Sequence, residues 1–101
     1  MGNLMNRVEL INLYDTYEVL LTSREQEIFK YYYYEDLSLS EIGDNLNITR
    51  TGVHNTLKKV EEKLNNYEEN LHLYSIKQTL NNILEEKNLT EIKQQIKKIV
   101  G

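Results

Sequence analysis

The 101-residue chain contains no cysteine, no proline, no alanine and no tryptophan, and only one phenylalanine. Without cysteine it can build no disulfide scaffold, thiolate metal site or thiol nucleophile, which suits a reducing cytosol. Without proline nothing in the sequence forces a helix to stop, and the wealth of Leu, Ile, Lys, Glu and Asn reads as all-helical. No uninterrupted apolar run approaches the length of a membrane span. The start, MGNLMN, has neither the basic region nor the apolar core of a signal peptide, and Asn6 stands where a myristoylation signal needs Ser or Thr. A cytoplasmic protein without membrane insertion is expected. The two histidines, His54 and His72, lie 18 residues apart, and no zinc-ligand spacing, glycine-rich phosphate loop or serine elbow is present. An enzyme is not expected, and neither is a cofactor or metal. The adjacent glutamates, such as Glu61-Glu62 and Glu85-Glu86, fall on different helical faces and read as solvated surface.

Positive charge is also scarce, the net charge being −4. Its distribution is uneven. Residues 1–37 carry Arg7, Arg24 and Lys30 against seven acids, whereas residues 38–64 are balanced, and Thr49–Lys59 holds three basic residues and no acid. Non-specific nucleic-acid affinity comes from Lys and Arg neutralising phosphates, so the bias is in the needed direction but small.

The stretch SLSEIGDNLNITRTGVHNTLKKVEEKL, residues 38–64, carries the strongest pattern. Ser38 with Glu41 three residues on is a capping box opening a short helix. Gly43 falls where two helices would cross, and a side chain larger than a methyl group is expected to hold them apart. Asn47 falls at the turn, where a left-handed backbone is needed, and Thr49 is placed to cap a second helix. Leu39, Ile42, Leu46, Ile48, Val53 and Leu57 are the apolar residues that would lock the pair. Short helix, tight turn and longer helix make a helix-turn-helix, whose second helix enters a DNA major groove in proteins that use it so.

Around it, apolar spacing predicts a first helix over Asn3–Leu21, with Leu10, Leu13, Tyr14, Tyr17, Leu20 and Leu21 inward. Thr22 and Glu25 form a second capping box, opening a helix to about Glu35 with Ile28, Phe29, Tyr32 and Tyr33 inward. The run Tyr31–Tyr34 reads as core plus boundary, because a base-stacking platform would need basic neighbours and these are acidic. Beyond the turn, Val53, Leu57, Val60, Leu64, Tyr67, Leu71 and Tyr74 form a heptad seam. The seam restarts in a new phase at Leu73, Ile76, Leu80, Ile83 and Leu84, which places a break near Asn70–Ser75 or a partner chain against an unbroken helix. Asn88 ends this segment, and Thr90 would cap a last helix over Glu91–Val100. The prediction is one unit of about six helices over residues 1–101, with a helix-turn-helix core at 22–64 that needs no wing and a helical extension at 65–101. The face from Val60 onward would pair two chains into a homodimer or pack the carboxy-terminal helices.

With Val53, Leu57 and Val60 inward, the other face of the second helix shows Arg50, Thr51, His54, Asn55, Lys58 and Lys59. Arg can bond guanine O6 and N7, and Asn can pair with adenine N6 and N7. Thr51, Lys58 and Lys59 would more naturally reach phosphates. Gly52 costs helix stability, about 1 kcal/mol relative to Ala, but permits close approach to a groove floor or another backbone. The plainer reading is a polar helix face that merely meets water. DNA or RNA is the partner this pattern points to.

The segment LLTSREQEIFKYYYYEDLSLSEIGDNLNITRTGVHNTLKKVEEKLNNYEENLHLY is similar to the YlxM family of small bacterial proteins, whose helix-turn-helix resembles the promoter-reading fourth region of sigma-70 factors. The resemblance runs from about Asn6 to Leu84. It is best in LLT with the Tyr-rich helix after it, in SLSEI with TRTGVHNTLKK, and in YEENLHLY. It implies a regulatory role linked to the signal recognition particle pathway, by genomic neighbourhood with that particle's genes. An alternative is a protein-interaction module of the same fold, docking on a signal recognition particle component or RNA polymerase through the acidic surface of residues 1–37.

Overall fold

The computed structural model describes residues 6–85 and 89–100, with side chains outside residues 89–92. Among the described residues the chain forms six α-helices and no strand. These are α1 (Arg7–Tyr17), α2 (Ser23–Tyr33), α3 (Leu39–Leu46), α4 (Arg50–Leu71), α5 (Leu73–Glu85) and α6 (Leu89–Val100). None of them is long and apolar enough to cross a membrane.

The chain before Asn6, where the first helix was expected to begin, lies outside the described residues. Asn6 caps α1, its side-chain oxygen accepting from the Glu9 N–H at 2.8 Å. Four residues at helical spacing, Leu10, Leu13, Tyr14 and Tyr17, then turn inward. The helix ends earlier than its apolar pattern predicts, tightening into a 3₁₀ turn over Glu18–Leu20. Gln26 stabilises that turn by donating to the Glu18 and Leu21 carbonyls at 2.7 and 3.3 Å. The change of pitch turns Leu20 outward, 47% exposed, while Leu21 stays buried.

The Thr22–Glu25 capping box opens α2 as its spacing predicts. Glu25 does more than cap. Its Oε1 accepts from the Thr22 N–H, and both carboxylate oxygens accept from Lys63 Nζ of α4, at 3.0 and 2.8 Å. Burial pushes this carboxyl up, but the hydrogen bonds from Lys63 and Thr22 outweigh it and hold it below the usual carboxylate range. At its other end α2 stops at Tyr33, two residues short of Glu35. Arg7 of α1 takes the Tyr33 carbonyl and Asp36 Oδ1, and Asp36 adopts a left-handed backbone, φ 55°. Of the four tyrosines Tyr33 is buried, Tyr31 and Tyr32 are half-buried, and Tyr34 is outward with its hydroxyl on Asp15.

The core lies where α1, α2 and α3 meet α4. Ile28, Phe29, Ile42, Val53, Val60 and Leu64 are fully enclosed there, and Tyr14 stacks on Phe29 with ring centroids 4.1 Å apart. This corrects the reading of the seam from Val60 onward. Val60 and Leu64 pack within the chain, where α1 and α2 lie on α4, and cannot pair a second one.

After Leu71 the chain breaks inside the window that the phase shift marks, with His72 left-handed at φ 54°. Glu68 fixes the corner. Its Oε1 accepts from Tyr17 Oη at 2.6 Å and the Tyr74 N–H, and its Oε2 accepts from the Ser75 N–H and hydroxyl. Tyr17 Oη in turn accepts from the Leu73 N–H at 3.0 Å. The first N–H groups of α5 are thereby satisfied from α4 and α1. α6 packs back on α5; it starts at Leu89, so Thr90 lies in its first turn instead of before it, and Asn88 lies outside the described residues. The whole measures 56 × 24 × 23 Å.

Candidate nucleic-acid interface

The surface that α4 offers depends on the turn before it. Ser38 Oγ accepts from the Glu41 N–H and Glu41 reaches back to the Ser38 N–H, so α3 starts with both orphan donors satisfied. At its end Asn47 is left-handed, φ 57°, and the Ile48 N–H bonds the Gly43 carbonyl at 2.9 Å, a Schellman closure. The helices approach most closely at Gly43, where an added Cβ would stand 2.7 Å from the Ile48 carbonyl oxygen and 3.5 Å from the Arg50 nitrogen. Even a methyl group does not fit there without a backbone shift, a tighter limit than spacing alone suggests. Ile48, expected to lock the pair, is 37% exposed at the turn, and Leu39 and Leu46 are half-buried. Ile42, Val53 and Leu57 carry the contact.

Thr49 caps α4, its hydroxyl accepting from the Gly52 N–H at 2.9 Å. The Cβ that Gly52 lacks would meet only this hydroxyl, at 3.1 Å, so among the described residues no backbone outside its own helix approaches it. Val53, Leu57 and Val60 point into the core, which turns the opposite face outward. Arg50, Thr51, His54, Asn55, Lys58 and Lys59 are all exposed. They form two neighbouring stripes, Arg50–His54–Lys58 and Thr51–Asn55–Lys59, each at four-residue steps, over about two and a half turns. Among the described residues none of Arg50, Lys58 or Lys59 enters an ion pair, whereas Lys63, one turn beyond Lys59, is held by Glu25. The nearest acid of α4 on the inner side, Glu61, is 4% exposed and accepts from Tyr33 Oη at 3.0 Å. The face can thus offer three cations, an amide, a hydroxyl and an imidazole, at the spacing with which a helix meets base edges and flanking phosphates.

The spacing of the motif places all six side chains. It does not place what holds them. The Glu25–Lys63 pair joins residues 38 apart, and only the capping box hints at Glu25. Among the described residues no three His, Asp or Glu side chains gather as metal ligands.

Residues 4–100 match the family described as "Putative helix-turn-helix protein, YlxM / p13 like". A UPF0122 protein of Desulforamulus reducens is 50% identical over 70 residues, 69% of this chain and 58% of that protein. One from Caldanaerobacter subterraneus subsp. tengcongensis is 51% identical over 61 residues, 60% of this chain and 52% of that protein. One from Oceanobacillus iheyensis is 40% identical over 73 residues, 71% of this chain and 70% of that protein. The matched stretch thus spans little more than half the length of the first two. With its helix-turn-helix geometry and this match over nearly its full length, the chain belongs to the YlxM/p13-like family of helix-turn-helix proteins.

Proposed function

We propose that this chain binds nucleic acid through the exposed face of α4 and acts as a non-catalytic regulator. The observation that carries the reading is the electrostatic isolation of that face. Arg50, Lys58 and Lys59 project from the capped start of α4 without an ion-pair partner among the described residues, while the other cation of the helix, Lys63, is held by Glu25. Arg50 and Asn55 would read base edges, and Thr51, His54, Lys58 and Lys59 would hold the backbone. Three cations against a net charge of −4 support only weak binding by one copy, so a second copy would be needed for working affinity. The setting proposed for it is the signal recognition particle pathway in the cytoplasm, a reading that the family resemblance supports.

The test is retention of double-stranded DNA and of RNA at low salt. Wild-type protein should bind one of them and release it as salt rises, and the Arg50→Ala, Lys58→Ala, Lys59→Ala triple variant should not bind. Absence of salt-sensitive binding by the wild type overturns the reading.

A second reading is favoured by the acidic surface of α1, α2 and the turn after α2, where Glu9, Asp15, Glu27 and Glu35 are exposed. In it the same fold docks on a basic protein partner, a signal recognition particle component or RNA polymerase. Capture from lysate that survives nuclease and tolerates the triple alanine variant would favour it.

A further inference from the structure

α5 and α6 leave an apolar surface that the rest of the chain does not cover. On α5, Leu73, Ile76, Leu80 and Ile83 alternate steps of three and four, yet none of the thirteen residues is buried. Leu80 is 48% exposed and Leu84 83% exposed. On α6, Ile96 and Val100 are exposed too. Two helices turn such stripes toward each other, and a groove of about 340 Å³ stays open between them, lined by Leu71, Ile76 and Ile99 with His72, Ser75, Thr79 and Lys98 beside them. The hairpin cannot close over the core either. The Glu68 carboxylate and the Tyr17 hydroxyl bond the first N–H groups of α5, fixing its departure from α4, and the core is already sealed by α1, α2 and α3.

We infer that this face seats a second copy of the chain, the two α5–α6 hairpins closing antiparallel into a four-helix bundle. Two such hairpins make a four-helix arrangement in which the apolar stripes of all four helices face a common core. The amount of surface fits. A compact monomer of 12.0 kDa exposes about 6,000 Å². This chain exposes 7006 Å², and its radius of gyration is 17.2 Å where a compact chain of its length has about 13 Å. The excess, about 1,000 Å² over the whole elongated chain, leaves room for the roughly 800 Å² per partner that a standard stable interface buries. Charge sets the direction. The hairpin is basic at the end formed by the start of α5 and the end of α6, with Lys77, Lys97 and Lys98, whereas at the other end Lys93 balances Glu85 among the residues whose side chains are described. Antiparallel pairing keeps the two basic ends apart, and parallel pairing would bring them together.

This deepens the proposed function by naming where the second copy is held, and it is tested without nucleic acid, so its failure is distinct from failure of the retention assay. Sedimentation of the full chain at tens of micromolar should give twice 12.0 kDa. The Leu80→Glu, Leu84→Glu double variant should sediment as 12.0 kDa with unchanged helical circular dichroism, since both side chains are exposed in the single chain. As the chain has no cysteine, single cysteines report the geometry cleanly. Leu80→Cys, near the middle of α5, should oxidise to a covalent dimer. Leu73→Cys alone should not, but mixed with Leu84→Cys it should form the cross-linked pair. A wild type that stays at 12.0 kDa overturns the inference, as does a dimer that survives the double glutamate variant. Efficient self-linking of Leu73→Cys overturns the antiparallel arrangement.

Discussion

Glu61 lies in the interior of a small helical protein with one hydrogen-bond donor, Tyr33 Oη, facing its carboxylate. Burial raises its pKa above the ordinary carboxylate value, and the Tyr33 hydrogen bond only partly opposes this. The same contact and burial push the Tyr33 phenol up. A carboxyl with a raised folded pKa binds more protons in the native than in the unfolded chain between the two values. Stability therefore rises as pH falls through that window and is lower at neutral pH, where the buried group is ionised. Glu61→Gln keeps an oxygen to accept from Tyr33 and removes the charge. It should stabilise the protein at neutral pH by about 1 kcal/mol, a rise in Tm of roughly 4–8 °C. The gain should shrink as pH drops below the raised pKa. Urea unfolding across pH 4–7 measures both; a loss of stability at neutral pH would sink the assignment.

The turn between α3 and α4 makes a sharper demand at the scale of elements, because its two glycines answer different needs. At Gly43 a methyl group meets the Ile48 carbonyl, which is backbone and cannot step aside, at 2.7 Å. At Gly52 it meets only the Thr49 hydroxyl, at 3.1 Å, which can rotate by a few tenths of an ångström. Gly43→Ala should therefore cost about 1–2 kcal/mol despite the better helix propensity of Ala, as overpacking does. Gly52→Ala should gain about 0.5 kcal/mol, since propensity there meets little steric opposition. Thermal unfolding of the two variants should move in opposite directions, and movement in the same direction would show that the crossing is not set at Gly43. Such details mark what a sequence discloses. The capping boxes at Thr22 and Ser38, the left-handed Asn47 and the Thr49 cap are legible because each depends on partners within four residues. The corner at His72 is legible because a phase shift in apolar spacing records it. The early end of α1 is hidden, since Gln26 stabilises it from the next helix. So are the Arg7 cap on α2, the Glu25–Lys63 pair and the Glu68 corner, whose polar partners lie up to 51 residues apart and leave no periodicity. The outward face of α4 follows from the inward phase of Val53, Leu57 and Val60. That Lys63 is held by Glu25, leaving three cations to that face, does not.

The proposed interface and the proposed pairing surface lie far apart in the molecule. α3 and the start of α4 are packed on α2, whereas α5 continues from the other end of α4, a helix of 22 residues and so about 33 Å, and α6 packs on α5. The α5–α6 face can therefore pair without covering Arg50 or Lys59, and each copy keeps its own contact surface. This separation makes the link between assembly and binding measurable. One copy neutralising three phosphates should give a slope of log K against log salt of about −3, and two copies engaged together about −5. The acidic surface of α1 and α2 adds long-range repulsion that fades within a Debye length, about 8 Å at physiological salt, so the slope should be read above that ionic strength. Wild-type protein should show the steeper slope, and the Leu80→Glu, Leu84→Glu variant the shallower one with weaker retention at every salt concentration. Arg50 to Lys59 are untouched in that variant, so equal slopes would mean that only one copy of a dimer meets nucleic acid at a time. Pairing would then contribute nothing to affinity, and the weakness of three cations would have to be offset by base contacts from Arg50 and Asn55 instead.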